Sequence, residues 1–451
     1  MFDFRKILLS GAALAVTTPL DFNAIAENIL PLNLDLPAAI RMANEQSPVI
    51  LEARERINEQ AGVLTVSKSS RLPDINAVGL YQWEEESRSG SFGGPNPPDE
   101  DYWRAGVELT QPLYAGGILS AAVRTRTYQS LALDAQVIAT RNDVFTDVFR
   151  KFYYAMLTRE VIRVQEESVS LLERQLSLAR NRFEAGAVSR FDVLQAEVRL
   201  ANARPPLIRA HNQYNLAVDD LRTTIGGVYP EGMGPTNVTL SGDWTVLTMP
   251  DSLTDALESA TRNRPELTAL AMNSEASRAW VERMKRQRAP RINLFANYGI
   301  ENDRFSPGNE RLEGWQAGVE ARLNIWDGGR IRGEVAQAQS QLDQVLLQQH
   351  ARHLSIELEV RNAWNQAEEA REILTASELI IDQAEEALRL AENRYNAGTL
   401  TQLDVLASQL DYTRAKLEHL TALHDYHVAL VEMYRAVGET PGIQFVETIS
   451  H

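Results

Sequence analysis

One stretch of this chain occurs twice. Residues 181–197, NRFEAGAVSRFDVLQAE, return 212 positions later at 393–409 as NRYNAGTLTQLDVLASQ, with seven of the seventeen positions identical. The shared residues include Ala185 and Ala397, Gly186 and Gly398, Asp192 and Asp404, and the Val-Leu pairs at 193–194 and 405–406. The spacing is far too long for a solenoid repeat, so the chain reads as one duplicated unit. Each half must then supply the same elements in the same order.

No Pro/Gly/Ser-rich linker divides the 451 residues, although the length exceeds that of a usual single domain. The charge balance is acidic, 61 Asp and Glu against 45 Lys and Arg, which argues against nucleic acid as a partner. Cysteine is absent, which excludes a disulfide framework, a thiolate metal site and a cysteine-linked lipid anchor. The N-terminus reads as a secretory signal over 1–26. Arg5 and Lys6 supply its charge, Ile7 to Leu20 is mostly apolar, and Ala24-Ile25-Ala26 fits a small-residue cleavage site. Nowhere else do about 18 apolar residues run together, so no membrane-spanning helix is expected in the mature chain. That chain is expected beyond an inner membrane, in the periplasm or outer membrane of a bacterium.

Each half opens with a short helical pattern closed by a proline, at Pro48 and Pro265, and continues as an amphipathic segment over 48–70 and 265–288. The period then changes to two. Ile75, Ala77, Gly79, Tyr81 and Trp83 share one strand face, and Asn76, Gln82 and Glu84 the other, with Val78 and Leu80 as apolar exceptions. The second copy sets Ile292, Leu294, Ala296, Tyr298 and Ile300 against Asn293, Asn297 and Glu301, with Phe295 as the exception. Partner strands follow after polar loops. Trp103, Ala105, Val107, Leu109 and Leu113 oppose Arg104, Glu108 and Thr110, and the second set runs from Trp315 through Val319 to Leu323 and Ile325. Strands of about a dozen residues with one apolar face are long enough to cross a bilayer at a tilt. The same pattern also suits a soluble sheet packed on helices.

After each hairpin the chain is helical without a stop signal over about 118–182 and 330–394. Sustained heptads support this: Ile162, Val169, Leu176 and Phe183, then Leu374, Ile381, Leu388 and Tyr395, with alanines between them. The twice-used motif is the turn that ends each long helix. Gly186 and Gly398 sit where a left-handed residue closes a helix. Ser189 and Thr401 precede Asp192 and Asp404 by three residues, a capping arrangement that starts a return helix. Pro205-Pro206 is expected to break or kink the first return helix; the second copy has Leu417-Glu418 there.

Four strands cannot close a barrel, and open edges are not tolerated in lipid. Three copies would give twelve strands, an even number in the range of outer-membrane barrels. The two-fold order of Pro-x-Ile-Asn strand starts, Gly-Gly strand ends (Gly116-Gly117, Gly328-Gly329) and A-G-x-x-[ST]-x-x-D-V-L turns resembles the TolC-like outer-membrane efflux proteins, from about 36 to 438. The resemblance implies an α+β membrane protein. Each protomer of a homotrimer would give four strands to a twelve-stranded barrel in outer-membrane lipid and long coiled-coil helices to a periplasmic α-helical barrel. It implies docking to a periplasmic adaptor (a membrane fusion protein) and an inner-membrane transporter of RND or ABC type, as an exit duct for efflux or type I secretion. The alternative is a periplasmic coiled-coil adaptor or scaffold without a barrel.

On that resemblance the layout is signal peptide 1–26, first repeat 27–225 (hairpin 72–115, turn 184–189), connection 226–250, second repeat 251–438 (hairpin 290–327, turn 396–401) and tail 439–451. Ala185, Gly186, Ala397 and Gly398 match the adaptor-contacting tips. Asp404 matches the constricting acidic position of the entrance, and Tyr395 and Asp192 match members of the polar network that holds it shut. Leu400 departs from the pattern, because a basic residue is expected there, and Ala407 replaces a second acid. Arg190 and Arg394 are the alternative latch residues. Helix capping by Ser189 with Asp192 and Thr401 with Asp404 accounts for both aspartates without a pore, and the two roles are compatible. The histidine pairs His350/His353 and His424/His427 lack a third ligand, and 226–234 lacks a phosphate-loop lysine. No cofactor, metal or enzymatic activity is expected.

Overall fold

The computed structural model describes residues 29–83, 101–242, 244, 247–302 and 311–440. The expected signal segment, most of both hairpin loops and the tail beyond Thr440 lie outside the described residues. The first half contains β1 (Asn33–Leu34), α1 (Leu36–Gln46), α2 (Pro48–Ser69), β2 (Asp74–Trp83), β3 (Asp101–Tyr114), α3 (Ile118–Glu184) and α4 (Arg190–Ile225). After the small strand β4 (Thr239–Leu240), the second half contains α5 (Leu253–Asn263), α6 (Pro265–Lys285), β5 (Arg291–Asn302), β6 (Arg311–Arg322), α7 (Arg330–Asn396) and α8 (Gln402–Val437). The long helices α3 and α7 have 67 residues each, and the return helices α4 and α8 have 36 each. At 1.5 Å per residue the long helices run about 100 Å.

No single core could receive helices of that length, and none does. Two clusters of buried side chains grip their middles. In the first half Phe145, Phe149 and Phe152 of α3 pack with Ile40 of α1, Leu221 of α4 and Leu240 of β4. In the second, Ile356 and Val360 of α7 pack with Ala256 and Ala260 of α5 and with Met433 of α8. Together with the β1–β4 ladder these clusters form a collar. Above it the helices pack in the order α2, α3, α6, α7; below it the order is α4, α3, α8, α7.

The collar is where shorter helices abut end to end. Gly226, φ 78°, follows the last residue of α4 and lies against the Gln46 carbonyl and the Pro48 ring at the start of α2. Gly438, φ 79°, follows α8 and lies against Asn263 and Arg264 at the start of α6. Glycine is required twice over, for its positive φ and for its missing Cβ. The abutting helix begins with proline in both cases, which gives up an amide that would have no partner there. Each stacked pair thereby runs alongside one long helix.

The break expected at Pro205-Pro206 does not occur: α4 runs through both prolines. Their missing amides leave the Ala201 and Asn202 carbonyls without helical partners. Both residues are exposed, so water can take the bond. A second correction concerns the expected hairpin 290–327, because strand β6 ends at Arg322. Leu323 and Ile325 lie beyond it and are exposed. The Asp327 carboxylate then caps α7 by accepting from the amides of Gly329 (2.9 Å) and Ile331 (3.0 Å).

The four long strands form one antiparallel sheet in the order β2-β3-β5-β6. Its register sorts the two faces. The row Ala77–Val107–Tyr298–Trp315 lies on one face and Asn76–Glu108–Asn297–Gln316 on the other. The first face exposes Ile75, Tyr81, Val107, Tyr298, Trp315 and Val319, and Glu313 interrupts it. Among the described residues β2 and β6 have no partner on their outer edges.

The junction glycines give a test. A Cβ on Gly438 would come within 2.8 Å of the Arg264 nitrogen, so Gly438→Ala is expected to lose about 2–4 kcal/mol in urea unfolding, strain and overlap combined. Gly232, φ 75°, has no atom within 4 Å of its would-be Cβ, and its alanine variant should lose only about 1 kcal/mol. Equal losses would show that the abutment contributes nothing.

Candidate functional site at the helical tips

Each long helix ends on the same turn. In the first, the Gly186 amide donates to the Phe183 carbonyl (2.9 Å) and the Ala187 amide to that of Arg182 (2.8 Å). In the second, Gly398 donates to Tyr395 (3.0 Å) and Thr399 to Arg394 (2.9 Å). Both are Schellman closures, which put the glycine in the left-handed region, here at φ 72° and 75°. Ala185 and Ala397 are the capping residues ahead of them, and all four tip residues are exposed.

The return helices start on capping boxes with matching dimensions. The Asp192 amide donates to Ser189 Oγ (3.3 Å), and its carboxylate accepts from the Ser189 amide (2.9 Å) and hydroxyl (2.7 Å). Asp404 repeats those three distances with Thr401. The Thr401 hydroxyl, and after it the Thr401 amide, hold the Asp404 carboxyl below the usual aspartate range. Among the described residues no hydrogen bond or ion pair takes either aspartate beyond its own turn. Asp404 is exposed and Asp192 half-buried. Within a protomer the structure therefore does not join Asp192 to Tyr395.

Tyr395 has another partner. The Arg182 guanidinium lies 4.8 Å from its ring centroid, a cation–π contact that ties the tip of α3 to that of α7. The sequence reading passed over Arg182, although it occupies the twin motif at the place of Arg394. Leu400 packs with Leu388, Ala391, Val405 and Tyr395: where the resemblance expects a base, this chain extends an apolar seam. Arg190 and Arg394 are exposed and have no acidic partner among the described residues. Further along, Gln175 donates to Gln409 (3.0 Å) and Lys416 pairs with Glu167 (2.8 Å), joining α3 to α8.

The histidine pairs do not converge on a common point. His424 bonds Asp425 (2.8 Å), and His427 stacks on Trp244 with ring centroids 5.1 Å apart. Among the described residues no group of three metal-ligating side chains forms, and no helix is long and apolar enough to cross a membrane.

The fold is shared with known proteins. The sequence profile of the outer membrane efflux protein family matches residues 39–227 and 256–439. The outer membrane efflux protein BepC of Brucella suis is 25% identical over 450 residues, covering 97% of this chain and 91% of its own. The outer membrane protein TolC of Escherichia coli K12 is 23% identical over 400 residues, 86% of this chain and 77% of its own. The crystal structure of the Campylobacter jejuni CmeC outer membrane channel superposes with a TM-score of 0.75 at 17% identity, covering 95% of this chain and 90% of that one. The fold is therefore that of these channels, and a barrel-less periplasmic adaptor is not favoured.

The caps predict a titration with a definite sign. Asp404 stabilises its turn fully above the ordinary aspartate value of 3.8 and loses that effect as pH falls through its lower folded value. A carboxyl-detected NMR titration should place its midpoint below 3.8 and move it up in Thr401→Ala. First-turn amides of α8 in that variant should exchange about fivefold faster. An unmoved midpoint would mean that Thr401 does not hold the charge.

Proposed function

This chain belongs to the outer membrane efflux protein family, and from that premise we propose that it works as a trimeric exit duct. It is an outer-membrane channel for efflux or type I secretion, with its helices in the periplasm.

One observation carries the assembly. The sheet is open at β2 and at β6, and the helical layer is open at α4 and α7. At each level one open edge belongs to the first half and the other to the second. A neighbour that pairs its β2 with this β6 therefore also brings its α4 against this α7. Both helical edges carry unmatched apolar side chains below the collar: Phe191, Leu194 and Val198 on α4, and Leu379 and Leu390 on α7. Head-to-tail contacts of this kind close into rings when the rotation allows. Three copies give a twelve-stranded barrel with its Tyr and Trp face in lipid and its Asn-Glu-Asn-Gln row in the lumen.

In that ring each protomer presents two helical tips to the periplasm, Ala185-Gly186 and Ala397-Gly398. They are the surface offered to an adaptor, which would connect the duct to an RND or ABC transporter in the inner membrane. Three Asp404 carboxylates would ring the entrance and favour cations. The capping box supports this reading, since it fixes each carboxylate at the start of α8 and keeps it charged. Asp192, Tyr395 and Arg182 would hold the tips together, with the Arg182–Tyr395 contact standing where a salt bridge to position 400 has no counterpart.

The tests follow the assembly. Outer-membrane fractions should yield detergent-stable, heat-modifiable trimers; recovery in the soluble periplasmic fraction would sink the duct. In planar bilayers, Asp404→Ala should weaken block by multivalent cations about tenfold, whereas unchanged block would leave Asp404 as a cap alone. Exchanging the turn 395–402 for an unrelated helix turn should abolish export while the trimer persists.

A further inference from the structure

At the collar the two halves handle the same position differently. Arg264 ends α5 and precedes Pro265, and it is only 2% exposed. Its guanidinium bonds Glu266 (3.1 Å) and Glu359 of α7. Arg352 completes the cluster through Glu359 (2.7 Å) and Glu266 (3.4 Å). Burial works against the Glu359 charge, but Arg264 and Arg352 outweigh it and hold the carboxyl below its usual range. Two guanidiniums balance two carboxylates.

The residue before the matching proline in the first half is Ser47. Aligned on the long helices, Glu359 corresponds to Asp147, Ser355 to Asp143 and Arg352 to Thr140; aligned on the prolines, Glu266 corresponds to Val49. All five first-half residues line one crevice of about 690 Å³ between α2, α3, α4 and α8. The space that Arg264 fills in the second half is open in the first. Ser47 is 1% exposed, and its hydroxyl has no hydrogen-bond partner in the protein.

The charge count points the same way. The crevice holds Asp143, Asp147 and Glu432 against Arg150 and Arg435. Arg435 pairs with Asp143 at 2.7 Å, and Arg150 bridges Glu432 (3.2 Å) and Asp147. Three carboxylates face two guanidiniums, one cation short of balance. Asp143, Asp147 and Arg150 leave α3 on the side opposite Phe145, Phe149 and Phe152, away from the collar core.

We propose that this crevice binds a small organic cation with a guanidinium or primary ammonium head, seated where Ser47 stands in place of an arginine and held by Asp147 and the Ser47 hydroxyl. Arg264 is the internal precedent for the fit. The proposal rests on the exit-duct reading only for access, because the face opposite the collar is the one a duct turns toward its lumen. A site at this depth would hold cationic cargo partway along the passage.

The probe is ethylguanidinium, titrated onto the detergent-solubilised full-length protein and followed by saturation-transfer NMR. Saturable binding in the millimolar range is expected. Ser47→Arg should supply the missing guanidinium from within and weaken probe binding at least about tenfold, with the melting temperature kept or raised. Should that variant misfold, Asp147→Asn serves instead: its carboxylate is partly exposed, so a loss of about threefold to fivefold is expected. Absence of saturable binding to the unaltered protein, or binding unchanged in the folded variants, would overturn the proposal. Neither result would touch the fractionation and conductance tests, which stand or fall with the duct itself.

Discussion

The demand that every backbone amide and carbonyl in lipid find a partner governs this architecture. A sheet of four strands leaves β2 and β6 each with one bare edge. At several kcal/mol for each unsatisfied group, two bare edges in hydrocarbon cost on the order of tens of kcal/mol, more than a domain's whole net stability. No side-chain packing within the protomer can offset that. Pairing with further copies would remove the term, and the open flanks of the helices suit the same arrangement. Their bare flanks α4 and α7 belong to the same two halves as β2 and β6, so one rotation can satisfy both layers. Duplication is the simplest way to place two open edges on opposite flanks of one chain.

The collar settles a second problem, the mismatch between a long helix and its shorter neighbours. Each 67-residue helix is flanked by stacked shorter helices, and a stack exposes backbone ends where it joins. Gly226 and Gly438 close the lower helix in the left-handed region while proline opens the upper one. That pairing lets two helix ends meet with few orphan groups between them. The buried phenylalanines of α3 sit at this level, so the junctions fall beside a cluster of buried side chains.

Legibility in the sequence followed the range of the interaction. The tip turns are local: Gly186 with its Schellman bonds, and Ser189 with Asp192 three residues on, can be read from a dozen residues. The heptads are borne out in part, since Leu176 and Leu388 are buried whereas Phe183, at the end of the first series, is exposed. Strand faces were legible from alternation, but the end of β6 was not, since Leu323 and Ile325 keep the alternating pattern after pairing stops at Arg322. The break that the prolines of α4 suggested does not occur, for a related reason. Proline's cost depends on whether the carbonyls it abandons can reach water, and that exposure is a tertiary fact. Arg182 on Tyr395, and the abutment of Gly438 on Arg264, join residues distant in sequence, and no local signal carries them.

The two halves also show how a duplicated unit acquires distinct roles without changing its frame. Helix lengths and capping boxes are kept, while single positions differ: Asp327 caps α7 where α3 has Ala115. The largest difference is at the collar. An arginine with its carboxylate partners fills the second junction. A serine at the matching place leaves a crevice beside the first junction, lined by three carboxylates and two guanidiniums. The junction glycines and the tip capping boxes are kept in both halves, so the exchange of arginine for serine alters the charge at the collar without altering the frame that holds it.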